Sequence, residues 1–297
     1  MIPLDETTDA ILITGPTASG KSALALEWAD RYNGVIINAD SMQVYDTLSV
    51  LTARPGAADL AAADHRLYGH VPALVAYSTG QWLRDVKAEI GKLREAGRLP
   101  IFVGGTGLYF RALTGGLSDM PAIPDHIRRT WRSALEEEGP AALHARLASL
   151  DPQTAARLQP SDGQRIVRAL EVLEASGRPM SSLAVGGGEM IVDPARARKI
   201  VVLPDRARLH ERINRRFEEM LEGEAVEEVR RLLALAPPVE LPVMKAIGVR
   251  QIASLLEGAM SRRQVIEEAS AATRQYAKRQ MTWFRNQMDE SWERLVR

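Results

Sequence analysis

Gly15-Pro16-Thr17-Ala18-Ser19-Gly20-Lys21-Ser22 sets a glycine, then four residues, before Gly-Lys-Ser, between a short apolar run and a helical one. This spacing suits a polyphosphate. The backbone N–H groups of the glycine turn and of the following helix start attract an anion. Lys21 adds a positive charge, and the Ser22 hydroxyl can ligate Mg²⁺. Phosphoryl transfer from ATP would need a second carboxylate near that Mg²⁺, at the end of an apolar strand. The run Ile101-Phe102-Val103 ends instead in Gly104-Gly105-Thr106. Asp40 does end the run Val35-Ile36-Ile37-Asn38, and three roles stay open for it: a Mg²⁺ ligand, a general base facing an acceptor, or a cap of the turn Asp40-Ser41.

Two further segments carry charge of one sign. Gln164-Arg165-Ile166-Val167-Arg168 sets two arginines three residues apart on one helix face, which suits either a phosphate clamp or a solvated surface. The stretch 274–285 has no acid; Arg274, Lys278 and Arg285 share a face, and Tyr276, Trp283 and Phe284 are interleaved. A basic face with aromatic rings can follow a phosphate backbone and stack on bases, although part of the aromatic surface is expected in the core. His65 and His70 lie five apart, which is no helical metal-ligand spacing, and they are taken as structural.

The elements that must position these groups alternate. Apolar strands are expected at Ala10–Thr14, Val35–Asn38, Pro100–Val103 and Lys199–Leu203. Helices are expected from Ser22 to Tyr32, with Gly34 as the stop, and from Ser78 to Gly97. The pattern indicates an α/β fold with a parallel sheet flanked by helices, whose ligands collect at the C-terminal strand ends. The phosphate loop, Asp40, Thr106 and Asp205 then share one rim. Residues 118–195 read as an inserted all-helical subdomain with helix starts at Pro124-Asp125, Asp151-Pro152 and Asp162, returning through a flexible joint at Gly186-Gly187-Gly188. The core domain is 10–117 together with 196–297, and the chain after Asp205 is expected to be helical to its end.

The 297 residues are 45% hydrophobic, enough for a sizeable core. No cysteine is present, so disulfides, zinc–thiolate sites and thiol nucleophiles are excluded. The start Met1-Ile2-Pro3-Leu4-Asp5-Glu6 has neither the basic nor the apolar region of a secretory signal, and no apolar run reaches membrane-spanning length. A cytoplasmic monomer without membrane contact is the expectation. Net charge is zero, so any nucleic-acid face must be local.

Taken together, several segments resemble the tRNA dimethylallyltransferase (tRNA isopentenyltransferase) family. They are residues 15–22, Asp40-Ser41-Met42-Gln43-Val44-Tyr45, Thr52-Ala53-Arg54-Pro55, Gly104-Gly105-Thr106-Gly107-Leu108-Tyr109, 164–168, Ala246-Ile247-Gly248 and 277–285, in the family's order along nearly the whole chain. The resemblance implies a P-loop NTPase-like fold. It also implies transfer of the dimethylallyl group of dimethylallyl diphosphate to N6 of the adenosine 3′ of the anticodon in tRNA, with Mg²⁺ assisting and diphosphate leaving. By the same resemblance Asp40 is the base, Thr106 a polar contact at the reacting centre and Lys21 a catalytic charge, and residues 17–22 hold the diphosphate. Contacts to the anticodon stem-loop are implied for Asp40, Ser41, Met42, Gln43, Thr106, Arg128, Gln164, Arg165, Ile166, Val167, Arg168, Lys245, Arg250, Lys278, Arg279, Gln280, Thr282, Trp283 and Arg285. The chain departs from the family at Val249, where tyrosine is usual, and at Arg54, where lysine is usual. The phosphate loop alone also suits a small-molecule kinase using ATP. A nucleotide-dependent RNA-binding switch without chemistry is the third reading.

Overall fold

The computed structural model describes residues 4–5, 7–118, 120–183 and 187–296. Six strands, β1 (Ala10–Thr14), β2 (Gly34–Asn38), β3 (His65–Arg66), β4 (Leu99–Gly104), β5 (Ala197–Val202) and β6 (Glu293–Leu295), form one sheet ordered β3-β2-β4-β1-β5-β6. Every pairing is parallel. Helices α1 (Lys21–Tyr32), α2 (Ala57–Ala62) and α3 (Thr79–Glu95) link the first four strands, and α4 (Gly107–Leu113) follows β4. Next come α5 (Asp125–Leu150), α6 (Pro152–Ala155), α7 (Gly163–Ser176) and α8 (Met180–Leu183). After β5 the chain forms α9 (Arg206–Glu222), α10 (Ala225–Ala234), a 3₁₀ turn at Pro242–Lys245, α11 (Val249–Leu256) and α12 (Arg262–Gln287).

The chain divides into two compact units, 1–111 with 192–297, and 112–191. In the first, β1 and β2 are buried along their whole length, which is why they are continuous apolar runs with no alternation. Ile11, Ile13, Ile36, Ile101 and Val103 pack with Leu24 and Trp28 of α1. Trp82 of α3 is fully buried, stacks on Tyr109 at 4.2 Å between centroids and donates its indole N–H to Asn38 O at 2.9 Å. That bond holds the last residue of β2, just before Asp40. A second apolar cluster joins Val44, Leu48 and Leu51 to Phe217, Leu221, Val229, Ile252 and Val265 of the C-terminal helices.

In the second unit, Ile127, Trp131, Leu143 and Leu147 of α5 pack with Ile166, Leu170 and Val172 of α7. Gly139, at φ 78° and ψ 167°, breaks α5 ahead of Pro140, because a residue before proline avoids the helical region. Asp151 caps α6 and also accepts the Ser181 hydroxyl. Both Asp151 and Asp162 are N-caps, as their sequence positions suggest.

Several expectations need correction. Gly34 does not stop α1; Asn33 does so in the left-handed region, and Gly34 opens β2, where a Cβ would lie 2.4 Å from Ile101 Cδ1. The strands β3 and β6 were not expected, being too short to show any periodicity, and β6 ends the all-helical reading of the segment after Asp205. Of the glycine joint, Gly186 lies outside the described residues. Gly188 is tied down: its N–H bonds Gly115 O, and a Cβ there would lie 1.8 Å from Leu117 O.

Gly104 is the tightest point at the sheet's rim. A Cβ on it would sit 1.9 Å from Ala39 O and 2.0 Å from Ala39 C. Backbone cannot yield as a side-chain tip does, so Gly104→Ala is expected to lower unfolding free energy by about 3 kcal/mol or more. Gly97→Ala meets nothing within 4 Å and strains only its φ of 62°. It should cost about 1–2 kcal/mol. Urea unfolding of both variants checks the difference.

Candidate active site

The phosphate loop leaves β1 and enters α1 through Gly20, whose φ of 89° is left-handed and whose position leaves no side chain to cap the helix. The first N–H groups of α1 are therefore presented to an anion. Lys21 lies half-buried beside the loop, with its ammonium donating to Pro16 O at 3.2 Å. Burial pulls its pKa down to about 8; the Asp40 carboxylate opposes the shift and the Arg216 guanidinium adds to it. Arg216 comes from α9 and is itself held below its ordinary pKa by burial, against the opposing charge of Glu219. Two cations at a helix start make the local field strongly positive despite the neutral chain.

Asp40 sits where β2 ends. Its Oδ1 accepts the Met42 N–H at 3.0 Å, closing a local turn. Among the described residues, its Oδ2 accepts no hydrogen bond. Closing the turn therefore occupies only one of the two carboxylate oxygens. Thr106 locks the same turn: its Oγ1 accepts the Ser41 N–H at 2.9 Å and donates to Ser41 Oγ at 3.3 Å, while its own N–H bonds Ala39 O. The phenols of Tyr68, Tyr109 and Tyr276 are raised by burial first and by the Asp40 charge second.

Two cavities meet at Asp40. A cavity of about 310 Å³ runs from Thr17 and Asp40 to an apolar end made by Leu51, Phe217, Met220 and Ile247. A smaller one of about 130 Å³ is polar and includes Lys21, Ser22, Arg54 and Arg216. Thr17, Asp40, Thr52, Ala53 and Arg216 line both. A third, open cavity joins residues 18–22 to Arg212, Arg215 and Arg216 of α9. One side of Asp40 can thus hold an anion, and the other can hold an apolar or aromatic group.

The structure gathers residues 17–22, Asp40, Ser41, Met42 and Lys245 around these cavities, with Thr106 behind them, bonded to Ser41, and Lys278, Arg279, Thr282 and Trp283 line an open groove on α12. Arg250, Lys278 and Arg285 are exposed. Asp205 is on the rim but is used up as the N-cap of α9. Arg128 and residues 164–168 lie in the other unit, on α5 and α7. There Gln164 and Arg165 are exposed, Arg165 faces Asp162 at 3.5 Å and Arg168 faces Glu171 at 3.5 Å.

Five residues expected at a nucleic-acid surface do other work. Ile166 and Val167 are buried in the core of their unit, as the inward positions between two outward arginines. Gln280 is 5% exposed; its Oε1 accepts the Thr17 N–H at 3.1 Å and its Nε2 donates to Gly105 O at 2.8 Å. It braces the phosphate loop against the end of β4. Gln43 spends its amide donors on Thr52 O and Ala53 O, both at 2.9 Å. Arg274, expected on the basic face, is turned inward to Asn214 Oδ1 at 2.6 Å. Trp283 is half-buried, and a Cβ on Gly107 would lie 2.3 Å from its ring, so this ring is partly core as the sequence suggests.

Arg216, Tyr276 and the turn at 49–54 were missed by the sequence reading as cavity-lining groups. For Arg216 the only signal is the cluster Arg212, Arg215 and Arg216, and spacing alone does not say which arginine points inward. Of the two departures, Val249 is buried at the start of α11. Arg54 uses the arginine geometry: Nη1 donates to Tyr45 O and Asp46 O, and its guanidinium lies where any Cβ on Gly69 would be.

A family model described as IPP transferase matches residues 43–287, and one described as isopentenyl transferase matches residues 8–71. The tRNA dimethylallyltransferase of Rhizobium meliloti is 66% identical over 287 residues, covering 97% of this chain and 95% of that protein. That of Rhizobium johnstonii is 66% identical over 290 residues, covering 98% of each. Among solved structures, the tRNA isopentenylpyrophosphate transferase of Bacillus halodurans superposes with a TM-score of 0.67 at 30% identity, covering 97% of this chain and 90% of that one. A eukaryotic dimethylallyltransferase acting on tRNA gives a TM-score of 0.79 at 26% identity, covering 93% and 70%. By its phosphate loop, its rim of Asp40 and Thr106 and these near full-length likenesses, the chain belongs to the IPP transferase family, that of the tRNA dimethylallyltransferases.

Proposed function

We propose that this chain transfers the dimethylallyl group of dimethylallyl diphosphate to N6 of the adenosine 3′ of the anticodon in tRNA, releasing diphosphate. The observation that carries this reading is Asp40, which lines a cationic cavity on one side and a partly apolar cavity on the other. In the transfer, the N6–carbon bond forms as the carbon–oxygen bond to diphosphate breaks. Negative charge grows on the leaving diphosphate, where the α1 N-terminus, Lys21 and Arg216 stabilise it. The amine loses a proton, and Asp40 Oδ2 is the acceptor beside the incoming base. Thr106 holds the Asp40-Ser41 turn in register. The apolar end at Leu51, Phe217, Met220 and Ile247 excludes water from a carbon centre that water would capture. An anticodon-loop base is already single-stranded, so turning it into the cavity costs only a few kcal/mol. A kinase reading has no support among the relatives, whose names are those of prenyl transferases.

Mg²⁺ fits this reading as an ion shared with the donor. Among the described residues no cluster of three acids or histidines builds a metal cage. The Ser22 hydroxyl at the start of α1, together with diphosphate oxygens and water, is the oxygen-rich set that Mg²⁺ takes. When bound there, it would add charge stabilisation to the leaving diphosphate. The exposed Lys278, Arg279, Thr282 and Arg285 of α12, with Lys245 and Arg250, are proposed to grip the anticodon stem-loop through its phosphates. Arg128, Gln164, Arg165 and Arg168 are proposed as the helical unit's own contacts to tRNA.

Three outcomes follow. Asp40→Asn keeps an oxygen for the Met42 N–H, so the turn and tRNA affinity should persist, while kcat falls by roughly 10²–10⁴. Nucleoside analysis and a binding titration measure the two; an unchanged kcat removes Asp40 as the base. Protonated Lys21 is the form that holds diphosphate, so kcat/KM for the donor should drop about tenfold per pH unit above pH 8. In Lys21→Arg, which keeps its charge, that alkaline limb should vanish. Finally, tRNA affinity should fall with salt, and replacing Lys278 and Arg285 by alanine should reduce the slope of log K against log salt by about two. An unaltered slope would take α12 out of the interface.

A further inference from the structure

Glu228 lies in the first turn of α10 and is buried, 2% exposed. A buried carboxylate demands partners. Here the partners are three consecutive backbone N–H groups from a distant stretch of chain. Oε1 accepts Ser49 N at 2.9 Å and Val50 N at 2.7 Å, and Oε2 accepts Leu51 N at 3.0 Å. The segment 48–54 is wound like one turn of helix: Thr52 Oγ1 donates to Leu48 O, Ala53 N–H to Val50 O and Arg54 N–H to Ser49 O. Such a turn leaves its first N–H groups without local acceptors. No side chain within the segment supplies them; Glu228 does so from α10.

This turn is the wall that the two cavities share. Leu51, Thr52 and Ala53 line the larger, and Thr52, Ala53 and Arg54 line the smaller beside Lys21 and Ser22. The opposite end of the turn is clasped by the Gln43 amide through Thr52 O and Ala53 O. Ala53 sits at φ 55°, a left-handed conformation that an alanine keeps only when its surroundings hold it. Glu228 and Asp46 also support the Arg54 charge against its burial.

We infer that Glu228 is a positioning residue of the donor site: it sets the wall 49–54 against the phosphate loop by capping its three N–H groups, and it touches neither substrate. The inference rests on the proposed donor cavity, so its test reads diphosphate binding as well as transfer. In Glu228→Gln one acceptor oxygen becomes an N–H₂ facing an N–H, and the cap loses its charge. Charge-assisted bonds of this kind are worth enough that the Kd for inorganic diphosphate, followed by calorimetry with Mg²⁺, should rise about tenfold or more. The KM for dimethylallyl diphosphate should rise in parallel, with kcat at saturating donor within about threefold and tRNA affinity unchanged. Glu228→Asp, which keeps the charge on a shorter arm, should fall between wild type and Glu228→Gln. If Glu228→Gln does not fold, Glu228→Asp alone carries the reading. Variants that melt earlier yet keep wild-type Kd and KM would overturn the inference and leave Glu228 a purely structural group. A wild-type protein that binds diphosphate but prenylates no tRNA would instead overturn the functional reading alone.

Discussion

The rim of the sheet depends on one close approach. Gly104 at the end of β4 and Ala39 just past the end of β2 lie in backbone contact, nearer than any side chain on Gly104 would permit. Thr14, the last residue of the neighbouring β1, donates its hydroxyl to Gly104 O at 3.0 Å, which ties the third strand to the same point. Because the strands are parallel, all three chain exits leave the same edge. The phosphate loop, Asp40 and Thr106 are therefore neighbours by construction. Opening that contact by one methyl group would spread the phosphate loop from Asp40.

Around this point several polar side chains hold backbone groups of neighbouring segments. Thr106 closes the Asp40-Ser41 turn, Gln280 joins the phosphate loop to Gly105, and the Trp82 indole bonds Asn38 O. Buried donors and acceptors without partners are costly, and here the partners are the backbone groups freed where strands end. The bonds that satisfy burial are also those that fix the geometry. Pre-set geometry of this kind lets N–H groups and cations stabilise growing charge without rearranging at the moment of reaction.

The C-terminal helices divide their faces between two tasks. On α12, Ala277, Gln280 and Phe284 point inward, while Lys278, Arg279, Thr282 and Arg285 point outward. On α9, Leu209, Ile213 and Phe217 are buried, and Arg212, Arg215 and Arg216 surround the phosphate loop. Adjacent residues on a helix diverge by about 100°, so one sequence run can hold the core and present charge at once. A neutral chain thereby shows a strongly positive site.

The sequence by itself determined the phosphate loop, the main parallel strands, most helix starts and the candidates Asp40 and Thr106. Each rests on local chemistry: glycine spacing, apolar runs, side-chain caps and the residue that follows a strand. The resemblance carried by the short motifs added the reaction that those residues serve. Tertiary structure alone decided which side chains of a motif face the ligand. Gln280, Ile166 and Val167 sit in matching motifs but are buried, and Arg216 and Tyr276 lie outside those motifs but line the cavities. It also decided β3 and β6, which exist because neighbouring strands offer unpaired edges, and the capping of 49–51 by Glu228 across the chain. Those outcomes depend on contacts between residues far apart in sequence, where burial and hydrogen-bond satisfaction outweigh local preference.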